Sequence, residues 1–154
     1  MFNLKGRVVV VSGASSGLGA QMAKGFAAQG ADLVITARRF EKLEVLAEEI
    51  RKMGVQCLPI RCDVTNVESV NNCAKEAVAH FKHIDVLVNC AGAAANNGVL
   101  NMTDSEWQFT IDTDLTSVFY VTRAFPNIMK EQKYGRIINI ASMYGLVGNT
   151  AMDT

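Results

Sequence analysis

Ser12-Gly13-Ala14-Ser15-Ser16-Gly17-Leu18-Gly19 is the stretch that says most about the architecture of this 154-residue chain. It follows a short aliphatic run at residues 7–12 and opens a segment, residues 17–29, whose apolar side chains recur at helical spacing. A glycine-rich turn between a buried strand and a helix is typical of a nucleotide-binding βα unit, because the amides at the helix start can surround a phosphate. The stretch therefore predicts a phosphate-binding turn at one edge of a parallel sheet.

The three glycines of this turn have separate predicted roles. Gly13 permits the tight turn, Gly17 lets the backbone come close to a pyrophosphate, and Gly19 lets the helix pack near the strand. Neighbouring amides and hydroxyl groups are expected to donate hydrogen bonds to the phosphate oxygens. A flexible turn without a ligand is the alternative interpretation. The residues predicted to bind phosphate are Gly13, Ser15, Ser16, Gly17, Leu18 and Gly19.

Strands and helices alternate along the rest of the chain. Wholly apolar strands separated by amphipathic helices indicate a parallel sheet covered on both faces. The sequence predicts an α/β fold, a Rossmann-type doubly wound parallel sheet, as one domain over residues 1–154. Leu18 is among the side chains expected on the core face of the first helix. The predicted strands are residues 7–12, 32–36, 55–60, 84–89 and 136–141, and the predicted helices are residues 17–29, 41–53, 67–81, 103–109 and 114–131.

The composition indicates a soluble cytoplasmic protein and argues against several classes of partner. Lysine plus arginine and aspartate plus glutamate each number 15, so no positive excess favours nucleic acid or an anionic membrane. The longest aliphatic run is far shorter than the ~18 residues of a membrane span, and no export signal is recognisable. The four cysteines form no Cys-x-x-Cys pair and the chain has two histidines, so we predict reduced thiols and no metal site.

Two further motifs follow the third and fourth predicted strands. Cys62-Asp63-Val64 comes after the third strand, and Asn89-Cys90-Ala91-Gly92 comes after the fourth. With the Gly-x-x-x-Gly-x-Gly turn, this order resembles the short-chain dehydrogenase/reductase family. The resemblance implies an adenine contact from Asp63, whereas Cys90 departs from the family's Asn-Asn-Ala-Gly and its role stays open. A simple strand-end turn is the alternative for the second motif. The implied cofactor-side residues are Asp63, Val64, Asn89, Ala91 and Gly92.

The same resemblance implies two residues on the catalytic side. Ser142 ends a strand at the place of the family's catalytic serine, which hydrogen-bonds the substrate oxygen. Asp114 stands where the family usually has an asparagine that holds a helix kink and a water. An N-terminal helix carboxylate, favoured by the helix dipole, is the alternative role for Asp114. The stretch at residues 139–149 is most similar to gluconate 5-dehydrogenases, which implies a sugar-acid substrate.

The end of the second strand bears on which cofactor is used. Dinucleotide folds that use NAD often place an acid there to bind the ribose 2′-hydroxyl. This chain has Ala37-Arg38-Arg39 instead, and either arginine can pair with a 2′-phosphate. The sequence therefore favours NADP, with NAD as the alternative. In that case one arginine stacks on adenine and the other faces solvent.

The family's catalytic Tyr-x-x-x-Lys is absent from these 154 residues, because Tyr120, Tyr134 and Tyr144 are followed at the fourth place by Ala124, Ile138 and Gly148. We expect that motif just past residue 154, together with the last two of seven strands. The predicted function is an NADP(H)-dependent oxidoreductase that acts on a small-molecule alcohol or ketone, inactive over these residues alone. The alternative is a cofactor-binding or interaction module without chemistry. The apolar face of the fifth helix (Leu115, Val118, Phe119) is compatible with a homo-oligomer or with core packing.

Overall fold

The computed structural model describes residues 3–95, 98 and 100–147. Five parallel strands form one sheet in the order β3-β2-β1-β4-β5. Strands β2 and β3 lie on one side of β1, and β4 and β5 lie on the other side. The strand order therefore reverses at the boundary between β1 and β4. This architecture confirms the predicted doubly wound α/β fold. The strands are β1 (Val8–Ser12), β2 (Asp32–Ala37), β3 (Cys57–Arg61), β4 (Val86–Asn89) and β5 (Arg136–Asn139).

Helices connect the strands and cover both faces of the sheet. The first three are α1 (Gly17–Ala28), α2 (Phe40–Arg51) and α3 (Val67–Phe81). Between β4 and β5 lie α4 (Asp104–Ile111), a π-helical segment (Asp112–Thr116), α5 (Ser117–Ala124) and α6 (Pro126–Glu131). A short 3-10 turn, Met143–Gly145, follows β5. No helix among these described residues is long and apolar enough to cross a bilayer.

Alternate residues of β1 build two separate core layers. Val8 and Val10 pack against α3 and α5, whereas Val9 and Val11 pack against α1 and α2. All four valines are at most 1% exposed, because helices cover both faces of the sheet here. Each buried valine contributes roughly 1.5–3 kcal/mol relative to an exposed one. The wholly apolar strand thus fixes the position of the glycine-rich turn that follows it.

Two details of the predicted helices are wrong. Leu18 is 68% exposed, so it does not belong to the buried face of α1, which carries Gly19, Ala23 and Ala27. The last helix does not begin at Asp114, because α4 runs through the π segment into α5 without a break. The helix is interrupted instead at Phe125, which keeps a helical conformation, because Pro126 has no amide hydrogen to continue the hydrogen-bond pattern.

Strand β5 lies at the edge of the sheet. Among the described residues it pairs only with β4, in register from Arg136 opposite Val86 to Asn139 opposite Asn89. All four of its residues are exposed, and Ile137 and Ile138 are each 41% exposed. An apolar edge strand of this kind can pair with other chains.

Candidate functional site

A cleft of about 940 Å³ opens at the carboxyl edge of the sheet. Its volume falls at the upper end of the roughly 300–1,000 Å³ of small-molecule sites. It lies at the switch between β1 and β4, where open α/β sheets bind ligands. Predicted site residues from six separate stretches of the chain meet at this cleft. Those that line it are Gly13, Ser15, Ser16, Leu18, Gly19, Arg38, Arg39, Asp63, Val64, Asn89, Ala91, Gly92, Asp114 and Ser142.

The glycine-rich turn has a shape that only glycines allow. Gly13 has φ +71°, and a Cβ there would lie 2.6 Å from the Cα of Ala91. A Cβ on Gly19 would lie 2.5 Å from the carbonyl oxygen of Gly13, so α1 packs directly on the turn. Gly17 differs from both, since its φ is +58° and the space where a Cβ would stand is open. Two glycines thus shape the backbone of the turn, and the third leaves open space beside it, although Gly17 is not among the residues that line the cleft.

Arg39 brings a positive charge onto this turn. Its Nη2 donates hydrogen bonds to the Oγ atoms of Ser15 and Ser16, each at 2.9 Å. Ser16 is also the N-cap residue of α1, yet its side chain caps no amide of the helix. The amides at the start of α1 and the guanidinium therefore lie near one another, and both favour an anion. Arg38 is exposed at the rim of the same cleft.

Asp63 lies at the β3 side of the cleft, where its own turn holds it. Its Oδ1 accepts hydrogen bonds from the backbone amide and hydroxyl of Thr65, at 3.0 and 2.8 Å. Its amide donates to the Oγ of Ser69 at 3.0 Å. Val64 beside it is 9% exposed and packs into the core layer below. The Asp63 carboxylate is thus fixed at the cleft by contacts within the β3–α3 connection.

Asn89 lines the cleft and links β4 to β5. Its Nδ2 donates to the Oγ1 of Thr122 at 3.0 Å and to the Oδ1 of Asn139 at 2.8 Å. Its backbone carbonyl accepts from the amide of Ile140 at 2.9 Å. Both amide hydrogens of the side chain are therefore used inside the protein, while its Oδ1 is buried and finds no partner among the described residues.

Ser12 organises the turn after β4, and sequence reasoning missed it. Its hydroxyl accepts from the amides of Cys90 and Ala91, at 3.0 and 3.2 Å, and donates to the carbonyl of Val88 at 3.3 Å. The signal in the sequence was a serine that ends an otherwise wholly aliphatic strand. Burial raises the pKa of the Cys90 thiol, so this cysteine is held as a neutral thiol.

Asp114 lies in the middle of the π segment and faces the turn after β4. Its Oδ1 accepts from the amide of Ala93 at 2.9 Å. A Cβ on Gly92 would lie 3.3 Å from the same oxygen, so the glycine lets the turn approach the carboxylate closely. The alternative role as a helix N-terminal carboxylate is wrong, because eight residues of α4 precede the π segment.

Ser142 follows β5 and lines the cleft on the side away from β3 and Asp63. It is the N-cap residue of the 3-10 turn, and its Oγ accepts from the amide of Tyr144 at 3.2 Å. Within the described part of the chain, the hydroxyl hydrogen of Ser142 has no acceptor. Tyr144 is 52% exposed and is not among the residues that line the cleft. No cluster of potential metal ligands exists among residues 3–95, 98 and 100–147.

Comparison with known proteins identifies a family for this arrangement. The profile of the family described as short chain dehydrogenase matches residues 7–154. Nodulation protein G of Rhizobium sp. (strain N33) is 38% identical over 149 residues, which are 97% of this chain and 60% of that protein. A 3-oxoacyl-[acyl-carrier-protein] reductase of Synechocystis is 37% identical over 97% of this chain and 61% of that protein. An NADP-dependent mannitol dehydrogenase of Alternaria alternata is also 37% identical, over 97% of this chain and 58% of that protein.

Solved structures share the fold closely. A short-chain type dehydrogenase/reductase from Mycobacterium marinum has a TM-score of 0.93 at 36% identity, over 97% of this chain and 61% of that one. An NAD⁺-bound xylitol dehydrogenase has a TM-score of 0.92 at 31% identity, over 97% and 59% of the two chains. A metagenomic short-chain oxidoreductase in complex with NADP has a TM-score of 0.90 at 35% identity, over 96% and 67%. The chain spans about 60% of the length of the curated relatives it matches.

Proposed function

Because the chain belongs to the short-chain dehydrogenase family, we propose that it forms the nucleotide-binding part of an oxidoreductase that uses NADP(H) to interconvert an alcohol and a carbonyl compound. The contact of Arg39 with Ser15 and Ser16 is the observation that favours NADP(H) over NAD(H) as the cofactor. A guanidinium and two hydroxyl groups in one place can all donate to a 2′-phosphate, and no carboxylate at the end of β2 repels it. Relatives bound to NAD⁺ and to NADP both exist, so the family alone leaves the choice between the two open.

The residues along the cleft fit a dinucleotide laid from β3 to β5. The open space at Gly17 and the start of α1 would accept the pyrophosphate, and the fixed carboxylate of Asp63, with Val64, would contact the adenine. Ala91 and Gly92 would line the nicotinamide side, while Asn89 would position the turn that carries them. The bound nicotinamide supplies or accepts the hydride.

Ser142 and Asp114 are the proposed residues on the substrate side. The Ser142 hydroxyl would donate to the substrate oxygen and stabilise the negative charge that develops there. Asp114 would hold the turn after β4 through the amide of Ala93. The proton that leaves or joins the substrate oxygen needs a further group, which the family resemblance places in a Tyr-x-x-x-Lys motif. These 154 residues hold none, which favours a cofactor-binding role without turnover for them alone.

The substrate is proposed only as a class. Among the relatives, one is a 3-oxoacyl-[acyl-carrier-protein] reductase and another a mannitol dehydrogenase, so names within the family cover acyl and polyol compounds. None of the relatives reported above is a gluconate 5-dehydrogenase, and the sugar-acid substrate stays a prediction. Part of the stretch on which it rests, residues 148–149, lies outside the described residues.

Calorimetric titration with NADP⁺ and NAD⁺ tests the proposal. We expect tighter binding of NADP⁺, and Arg39→Gln should weaken it about ten- to a hundredfold, as expected for a charge-assisted contact of ~1.5–3 kcal/mol, while NAD⁺ binding changes little. Lys52→Gln is the matched control, because it removes the same charge at the other end of α2, about 20 Å along the helix. Equal affinities of the unmodified protein for the two nucleotides would contradict the proposed preference.

A further inference from the structure

Asp114 places a negative charge in the cleft beside the turn after β4. It lies in the π segment, is exposed and lines the cleft. Its Oδ1 accepts from the amide of Ala93 at 2.9 Å, and a Cβ on Gly92 would lie 3.3 Å from the same oxygen. The carboxylate is therefore held against the turn on which the nicotinamide ring is proposed to lie.

The other charged side chains that line the cleft lie toward its opposite end. Among the described residues these are Arg38, Arg39 and Asp63. They follow β2 and β3, which are two and three strands away from β4, or about 10 and 14 Å at the usual strand spacing. Charges separated by more than the Debye length, about 8 Å at physiological ionic strength, are largely screened in solvent. Asp114 therefore dominates the electrostatic field at the turn after β4.

The charge of Asp114 is not neutralised within the described part of the chain. None of the four ion pairs there includes it. The group that donates to its Oδ1 is a backbone amide, which is neutral. Cys90 on the adjacent turn adds no charge, because burial raises the pKa of its thiol. The carboxylate can therefore attract a positive group that lies on this turn.

The two redox forms of a nicotinamide cofactor differ in charge at the ring alone. The oxidised ring is a pyridinium with one positive charge, whereas the reduced ring is neutral. The phosphates, the riboses and the adenine are the same in both forms. A protein charge beside the ring therefore changes the relative affinity of the two forms, whereas charges beside the phosphates act on both forms alike.

We propose that Asp114 makes the cleft bind the oxidised cofactor in preference to the reduced one. This inference rests on the proposed function. The carboxylate attracts the positive ring and has no net charge to attract in the neutral ring. By linkage, tighter binding of the oxidised form makes the bound reduced cofactor a stronger hydride donor. Asp114 thus favours carbonyl reduction over alcohol oxidation in the bound complex.

Calorimetric titration with NADP⁺ and with NADPH, on the unmodified chain and on Asp114→Asn, tests the inference. The amide oxygen of an asparagine can still accept from the backbone amide of Ala93, so the variant loses the charge and keeps the contact. The measured quantity is the redox ratio, the Kd of NADPH divided by the Kd of NADP⁺. This ratio should fall about two- to fivefold in Asp114→Asn, the effect expected of an ion pair open to solvent.

Asp112→Asn is the matched control. It removes the same charge from the same π segment, but Asp112 is not among the residues that line the cleft. Its Oδ1 accepts from the Nε2 of Gln108 at 2.8 Å instead. The redox ratio of this variant should equal that of the unmodified chain.

The salt dependence of the redox ratio gives a second measurement, which needs no variant to fold. Raising the salt concentration from about 20 mM to about 500 mM should lower the ratio of the unmodified chain, because the shorter Debye length screens the carboxylate. The ratio of Asp114→Asn should change little. NAD⁺ and NADH should give the same results, since the charge difference lies at the ring and not at the 2′-phosphate.

Three results would overturn the inference while the proposed function stands, because each requires that the cofactor binds. They are an unchanged redox ratio in Asp114→Asn, an equal fall of the ratio in Asp112→Asn, and a ratio of the unmodified chain that salt does not alter. If the unmodified chain binds none of the four nucleotides, the proposed function fails and the inference fails with it.

Discussion

Gly17→Val is the sharpest perturbation of the glycine-rich turn. Gly17 has φ +58°, and a Cβ added there would have no atom within 4 Å apart from its neighbours in the chain and in the helix backbone. Its cost to folding is the strain of the left-handed conformation, about 1–2 kcal/mol. The same side chain would occupy the room proposed for the pyrophosphate. Losing one charge-assisted contact costs ~1.5–3 kcal/mol, so nucleotide affinity should fall about ten- to a hundredfold.

Gly54→Val separates the two effects. Gly54 lies after α2 at the other edge of the sheet, has φ +86°, and also has nothing within 4 Å of its Cβ position. The two variants should therefore lose similar stability in thermal melting. At a ligand concentration of 100 times the Kd, NADP⁺ should raise the stability of Gly54→Val by about 2.7 kcal/mol. Gly17→Val should gain far less from the same nucleotide concentration.

Calorimetric titration of both variants with NADP⁺ tests whether the phosphate lies beside Gly17, and circular dichroism checks that both variants are folded. A folded Gly17→Val protein that binds NADP⁺ as tightly as Gly54→Val would refute the placement of the phosphate. Equal loss of affinity in both variants would also refute it, because strain alone would then explain the effect.

Three other predictions follow from the cleft and the sheet edge. Arg38→Asp should reverse the preference in favour of NAD⁺, because a carboxylate at the end of β2 repels a 2′-phosphate and accepts from a 2′-hydroxyl; a retained NADP⁺ preference in calorimetry would count against it. The 154 residues alone should transfer no measurable hydride. A form extended through the Tyr-x-x-x-Lys motif should be active, and Ser142→Ala should remove most of that activity. Turnover by the 154-residue chain that is abolished by Tyr144→Phe would contradict this prediction. The 154-residue chain should associate through the exposed β5 edge, and Ile138→Lys should reduce this in light scattering; a clean monomer without the substitution would show the edge to be harmless.

The sequence by itself determined the order of elements and the glycine-rich turn. Residues 8–11 are all valine, and three spaced glycines follow. The local sequence therefore predicted both a strand buried on its two faces and a turn in which the backbone comes close to its neighbours. Periodicity also gave α3 its bounds, Val67–Phe81, because its apolar residues keep helical spacing between the cap at Asn66 and the end of the helix.

Tertiary structure decided which side chains meet. The contact of Arg39 with Ser15 and Ser16, and that of Asp114 with the amide of Ala93, join residues 21 to 24 positions apart, and no local pattern records such distances. The π segment was invisible for the same reason, since its sequence is compatible with an ordinary helix. Local propensity fixes the backbone of each element, whereas long-range packing sets the distances on which the chemistry of the cleft depends.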